Sequence, residues 1–286
     1  MTTIPLENAL GGPVYLVERT GSTMDEGRAL AAAGAADGTV VVADVQIAGR
    51  GRIAGRTWTA EAGMGLLCTT ILRYPSIAAL PRALTLRVGL AVALALEDVA
   101  PSLRGRVLVK WPNDILVAGA ATGMVTGAAT GTVTGTVTSA AEGTAPSRAR
   151  KICGVLCEGD GKAVFVGVGI NLSQASFPVE LEAKATSLVR EAGTSVARED
   201  LLRAFLVRLA ALRDDRSAAG ASWRQSLESR LFRRGEMVRF EAGAADSGDL
   251  VEGVLAGIGE GGELMLLVEG ETAPRAFVAG ELKVYG

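Results

Sequence analysis

The chain has 286 residues, 49% hydrophobic and 21% charged, enough for one substantial core and a smaller second domain. Its net charge of −2 argues against general electrostatic binding of DNA or RNA, since such proteins carry a clear basic excess. Histidine is absent and there are only three cysteines, which removes Ser-His-Asp and Cys-His machinery, the usual zinc sites and any disulfide framework.

Chemistry must therefore run on Lys, Arg, Asp, Glu or a bound metal. The longest apolar run, Val88 to Leu96, is closed by Glu97 and Asp98 and is too short to span a bilayer. With no secretory leader expected, the cytoplasm is the expected compartment. The first strand is expected at Pro13 to Val17, so near the start that no N-terminal DNA-binding module is expected. A helix should follow to Ala33, capped by Ser22, with Asp25 in its first turn and Gly34 as its stop. Strands are predicted at Thr39 to Asp44 and Gly65 to Arg73, and a helix over 78–100 with its apolar stripe on a sheet.

Val107 to Lys110 and Ile115 to Val117 read as strands about a tight turn. Residues 118–150, almost wholly Gly, Ala, Thr, Val and Ser in near-repeats, read as a disordered low-complexity insertion in that sheet, with an elongated hairpin as the alternative. Lys151 to Glu158 and Ala163 to Leu172 form a predicted hairpin, which makes the main sheet antiparallel or mixed. An amphipathic helix at Glu199 to Asp214 and a helical piece around Trp223 come next. Four short runs then alternate with turns: Met237 to Glu241, Leu250 to Ile258, Glu263 to Val268, and Ala276 to Val278. They suggest a small β-barrel and an α+β chain with a boundary near residue 231.

Three segments bear chemistry. Residues 49–58, Gly-Arg-Gly-Arg-Ile-Ala-Gly-Arg-Thr-Trp, join glycines, which let backbone N–H groups approach a ligand, to arginine forks suited to phosphate or carboxylate. Trp58 adds a flat stacking surface. Alone, the run is equally a solvated basic turn or a nucleic-acid patch. Lys110-Trp111-Pro112-Asn113-Asp114 is a hairpin turn, yet a Lys and an Asp at a strand end also suit phosphate and Mg²⁺. Lys151-Ile152-Cys153-Gly154 and Gly167-Val168-Gly169-Ile170-Asn171 place glycines inside strands, where a ligand or another chain segment often approaches the backbone.

Taken in order, with Thr20-Gly21-Ser22-Thr23 and Gln46, these segments resemble the biotin protein ligases, in the short form without a DNA-binding domain. The resemblance implies a class II synthetase-like catalytic domain over 1–231, with the insertion 118–150, and an SH3-like domain over 232–286. It implies ATP-dependent formation of biotinyl-5′-AMP with release of pyrophosphate, then transfer of biotin to a lysine of a biotin carboxyl carrier domain. By the same resemblance Lys151, Arg52, Lys110 and Asp114 are catalytic, with Asp114 the candidate Mg²⁺ ligand. Ser22, Thr23, Met24, Gln46, Arg50, Gly51, Arg52, Lys151 and Gly154 would bind biotin, and Arg50, Arg52, Arg56, Trp58, Lys110, Asn113 and Asn171 would bind ATP. A monomer or homodimer is implied, with no nucleic-acid or membrane partner.

The chain departs from the family pattern at Met24, where an Asn is usual, and in the insertion. A lipoate or octanoate ligase of the same superfamily is the nearest alternative, but those relatives lack the Arg-Gly loop and lean on a histidine motif that this chain has no histidine to form. A non-catalytic biotin-binding relative is the other; Lys110, Asp114, Lys151 and the loop arginines argue against it.

Overall fold

The computed structural model describes residues 1–53, 55, 57–119, 149–214, 218–243 and 248–283. The insertion expected over 118–150 lies almost wholly outside the described residues, and so does Arg56. The first part of the chain runs β1 (Thr2–Thr3), β2 (Val14–Thr20), α1 (Thr23–Ala32), β3 (Val40–Arg50), β4 (Thr57–Ala60), β5 (Gly65–Leu72) and α2 (Leu84–Val99). It continues through β6 (Val107–Lys110), β7 (Asp114–Val117), β8 (Arg150–Gly159) and β9 (Val164–Asn171).

These strands make one sheet in the order β1-β2-β3-β5-β9-β8-β7-β6, with β4 paired to β3. Among the described strands β2 and β3 are the one parallel pair, so the sheet is mixed. The central strands β5 and β9 are buried along their whole length. Their unbroken apolar runs follow from packing on both faces: Ile71 and Phe165 cluster with Met24 of α1, while Cys68, Leu72, Val166 and Val168 join the main core with residues of the later helices.

Helices α3 (Val179–Glu182), α4 (Leu188–Ala192), α5 (Arg198–Leu212) and α6 (Ala218–Glu228) follow. Helix α5 lays Leu202, Phe205, Leu206 and Leu209 into the core against α2, each contributing about 1.5–3 kcal/mol by burial. Buried Arg87 on α2 is satisfied by the Arg82 carbonyl at 2.9 Å and by the Trp223 ring 4.4 Å away.

The helix predicted over 78–100 begins at Leu84 instead. Pro81 disfavours a helical conformation at Leu80, which is extended, and Ala83 takes a left-handed conformation with φ of 56° before the helix starts. The predicted Ser22 cap is present: its hydroxyl oxygen accepts from the Met24 N–H at 3.3 Å.

The second sheet comprises β10 (Met237–Ala242), β11 (Asp249–Ile258), β12 (Leu264–Val268), β13 (Arg275–Phe277) and β14 (Gly280–Lys283), in the order β13-β12-β11-β10-β14. It is antiparallel throughout, as an SH3-like unit requires. Two details differ from the sequence expectation. Strand β14 is an addition to the four predicted runs, and β13 does not pair with β14, so no closed barrel forms among the described residues. The Trp111 indole N–H donates to the Gly262 carbonyl at 2.9 Å, and its ring meets Phe240 edge-on at 5.7 Å. The tryptophan before the 112–114 turn thereby joins the two sheets.

Candidate active site

One cavity of about 910 Å³ opens between α1, the β3–β4 hairpin, the β6–β7 turn, the floor of β8 and β9, and the segment after β9. Every residue given a catalytic or ligand-binding role in the sequence analysis lines it except Arg56, which lies outside the described residues.

One end of the cavity is polar and uncharged. The Gln46 carbonyl oxygen accepts from the Thr23 N–H at 2.9 Å and from the Thr23 hydroxyl at 3.2 Å, and the Thr69 hydroxyl donates to Thr23 Oγ1 at 2.9 Å. All three residues are buried, so their polar atoms are held in fixed positions. Ser22 is buried beside them as the α1 cap.

Charge gathers toward the other end. Lys110 and Asp114 face each other across the β6–β7 hairpin, and Asp114 pairs with Gly154 of β8. The Lys151 ammonium lies 2.7 Å from the Asp114 carboxylate and 5.5 Å from the centre of the Trp58 ring. Trp58 lies flat on the floor because two glycines admit it. A methyl group at Gly169 would stand 2.6 Å from its ring and one at Gly154 would stand 3.2 Å away. Those strand glycines therefore serve a close approach, made here by an indole. Trp58 Nε1 is buried without a hydrogen-bond partner among the described residues, a donor suited to a polar ligand atom.

The Arg-Gly segment caps this floor. β3 runs on past the predicted end at Asp44 to Arg50 and turns back into β4, pairing Gly49 with Trp58 and Arg50 with Thr57. Arg50 grips Asp25 of α1 at 2.7 and 3.4 Å, and Arg52 donates to the Gly280 carbonyl of β14 at 3.1 Å. The tip is thus tied to two separate parts of the fold.

Asn113 and Asn171 line the cavity with their amides already engaged. Asn113 Nδ2 donates to the Val155 carbonyl at 2.9 Å. Asn171 donates to the Thr186 carbonyl at 3.0 Å and accepts from Gln174 at 3.2 Å, which draws the segment after β9 across the site. That segment is anchored by Glu191, whose buried carboxylate takes Arg106 at 2.5 Å, Arg150 at 2.7 Å and the Thr186 hydroxyl at 2.8 Å. Glu191→Ala leaves two partly buried guanidinium groups uncompensated. It should cost about 3–5 kcal/mol of stability by urea unfolding, and a loss under about 1 kcal/mol would show that the anchor is dispensable.

Sequence reasoning passed over Thr69, Gln174, Phe177 and Glu281, all drawn to this site by the fold. The hydroxyl pair Thr69-Thr70 inside an apolar strand was a visible signal for the first; the others carry none. Burial pushes the Cys68 thiol on the cavity wall up to about 12, so it stays protonated and is no nucleophile. Among the described residues no group of three acidic, Cys or His side chains forms a metal cage. The donor set near Asp114 fits a cation that arrives with phosphate ligands of its own.

The family model for the biotin/lipoate A/B protein ligase family matches residues 16–174. The chain is 32% identical over 269 residues to the biotin–[acetyl-CoA-carboxylase] ligase of Mycobacterium tuberculosis, covering 90% of this chain and 84% of that protein. It is 32% identical over 193 residues to the bifunctional ligase/repressor BirA of Bacillus subtilis, covering 65% of this chain but only 49% of BirA, so it spans about half the length of that relative. Among solved structures, biotin protein ligase from Aquifex aeolicus in complex with biotin and ATP superposes with a TM-score of 0.69 at 25% identity, over 94% of this chain and 97% of that one.

Proposed function

The chain belongs to the biotin/lipoate A/B protein ligase family, and from that premise we propose that it is an ATP-dependent biotin protein ligase. The observation that carries the choice of acid is a single cavity with a buried, uncharged hydrogen-bonding end and a cationic end. The Ser22, Thr23 and Gln46 end suits a ureido group, which has donors and an acceptor to offer. A dithiolane or alkyl head group makes no hydrogen bond with these groups, so it gains less from this end of the cavity than a ureido group does.

In the first step a carboxylate oxygen of biotin attacks the α-phosphorus of ATP, and the bond to pyrophosphate breaks. Two anions must meet, so cations have to offset their repulsion and take up charge growing on the phosphoryl oxygens. Lys151, Lys110 and Arg52 fill that role, while Arg50 and Gly51 close over the carboxylate. Trp58, Arg56, Asn113 and Asn171 meet the nucleotide, the two asparagines by holding the turn and segment that face it. Mg²⁺ brought by ATP would be held at Asp114 and would neutralise phosphate charge. In the second step a lysine amine of a carboxyl carrier domain attacks the acyl carbon and AMP leaves.

Residues 1–231 carry this chemistry and 232–286 cap it. We place the protein in the cytoplasm as a monomer or homodimer. Pyrophosphate release with MgATP should be rapid with biotin and at least about tenfold slower with lipoate, and addition of a carrier domain should yield one biotinylated lysine. Equal rates with both acids, or none with biotin, would overturn the reading.

A further inference from the structure

Strand β9 presents Phe165, Gly167, Gly169 and Asn171 on one face, because alternate residues of a strand share a side. Two large side chains lie on its glycines. Trp58 covers Gly169, and the Met24 thioether covers Gly167, where an added methyl would stand 2.8 Å from Met24 Sδ. Met24 is 4% exposed, held in an apolar cluster with Ile71, Ala163 and Phe165, and still lines the cavity. It follows Thr23 directly, so it stands beside the uncharged hydrogen-bonding end.

The Lys151–Asp114 ion pair is offset from Met24 in both sheet directions. Gly154 lies opposite Gly169, one two-residue step from Gly167, and Lys151 and Asp114 belong to the next strands across. Steps of roughly 6.6 Å along a strand and roughly 4.8 Å between strands put Met24 and that pair on the order of 10 Å apart. The spacing is comparable with the extended length of biotin from its ureido group to its carboxylate.

We propose that Met24, seated on Gly167, is the end stop of the acid pocket and the residue that sets which head groups are accepted. This rests on the biotin ligase reading above. A thioether is flexible and polarizable and closes the pocket without contributing a hydrogen bond of its own, so selectivity at this wall is by size. One extra methyl group against such a wall is worth about 10- to 200-fold.

The test compares biotin with two analogues, one methylated on a ring-fusion carbon, which enlarges the head group while keeping both ureido N–H donors, and one with an additional methylene in the acyl arm, by pyrophosphate release. The unmodified chain should prefer biotin over the ring-methyl analogue by about 10-fold or more. Met24→Ala should bring that ratio to within about threefold while leaving the ratio against the longer-armed acid and the KM for MgATP as they were. A folded Met24→Ala protein that keeps the parental ratio, or that relaxes toward the longer arm, overturns the proposal. Gly167→Ala gives an independent reading, since its methyl group must push the thioether off its seat. It should raise the KM for biotin about tenfold or more without moving that for MgATP, and an unmoved biotin KM overturns the proposal as well. Absence of pyrophosphate release with biotin by the unmodified chain would remove the ligase reading itself, and this proposal with it.

Discussion

Lys151→Ala is expected to lower the rate of biotinyl-adenylate formation about 10²- to 10³-fold, the loss typical when one fixed electrostatic donor is taken from a developing anion. The ammonium stands at the meeting point of the site, 2.7 Å from Asp114 and 5.5 Å from the centre of the Trp58 ring, over the floor where Gly154 and Gly169 admit that indole. The variant has a second effect that must be separated from the first. Removing the cation leaves the Asp114 carboxylate without its partner, and an uncompensated negative charge there would itself repel phosphate. Lys151→Ala combined with Asp114→Asn distinguishes the two. If Lys151 acts on the reacting phosphoryl group, the double variant is slower than Asp114→Asn alone by a similar factor in a single-turnover pyrophosphate assay; a double variant no slower than Asp114→Asn alone would make Lys151 a mere neutraliser of Asp114. Near-normal turnover by Lys151→Ala alone would return the residue to the role of a solvated strand-end cation.

Much of the frame was legible because local signals and tertiary demands agreed. The Ser22 cap, the buried runs of β5 and β9 and the hairpin at 159–161 each follow from residue type and spacing. Two of the misses share one physical cause, which is that long-range pairing overrode a local preference. The polar, glycine-rich run at 49–58 reads as a loop, yet Gly49 and Arg50 are strand residues because Trp58 and Thr57 pair with them. Likewise β14 is four residues with no strong β-formers, and it exists through its ladder with β10.

The site divides in the same way. Chemistry-bearing side chains stood out by type, and the structure brings them to one cavity. Their supports did not, since nothing local ties Glu191 to Thr186 and, through that residue, to Asn171. Trp111 shows the limit of motif reasoning most directly. It looks like ligand-binding equipment beside Lys110, but its indole is occupied with Gly262 and Phe240 of the second sheet.

Arg52→Gly should turn a retained intermediate into a leaking one. The tip of the β3–β4 hairpin is tied to α1 by the Arg50–Asp25 pair and to β14 by the bond from Arg52 to the Gly280 carbonyl at 3.1 Å. The first tie is exposed on both sides, so solvent screens it and it contributes little. The second is partly buried and charge-assisted, and it joins the loop to β14 at the cavity's edge. Glycine at this position removes the fork and adds backbone freedom where the lid needs to stay shut. Loss of a hydrogen bond from a charged donor is worth about 1.5–3 kcal/mol, which converts to about ten- to a hundredfold faster departure of biotinyl-adenylate. A mixed anhydride released into solution acylates whatever amine it meets. The expected readout is therefore twofold: a shorter dwell time of the adenylate in a rapid-dilution assay, and biotin on many lysines of a bystander protein mixture by mass spectrometry, where the parent labels only the carrier. An Arg52→Gly protein that holds the adenylate as long as the parent would show that the hairpin is a wall of the pocket and not its door.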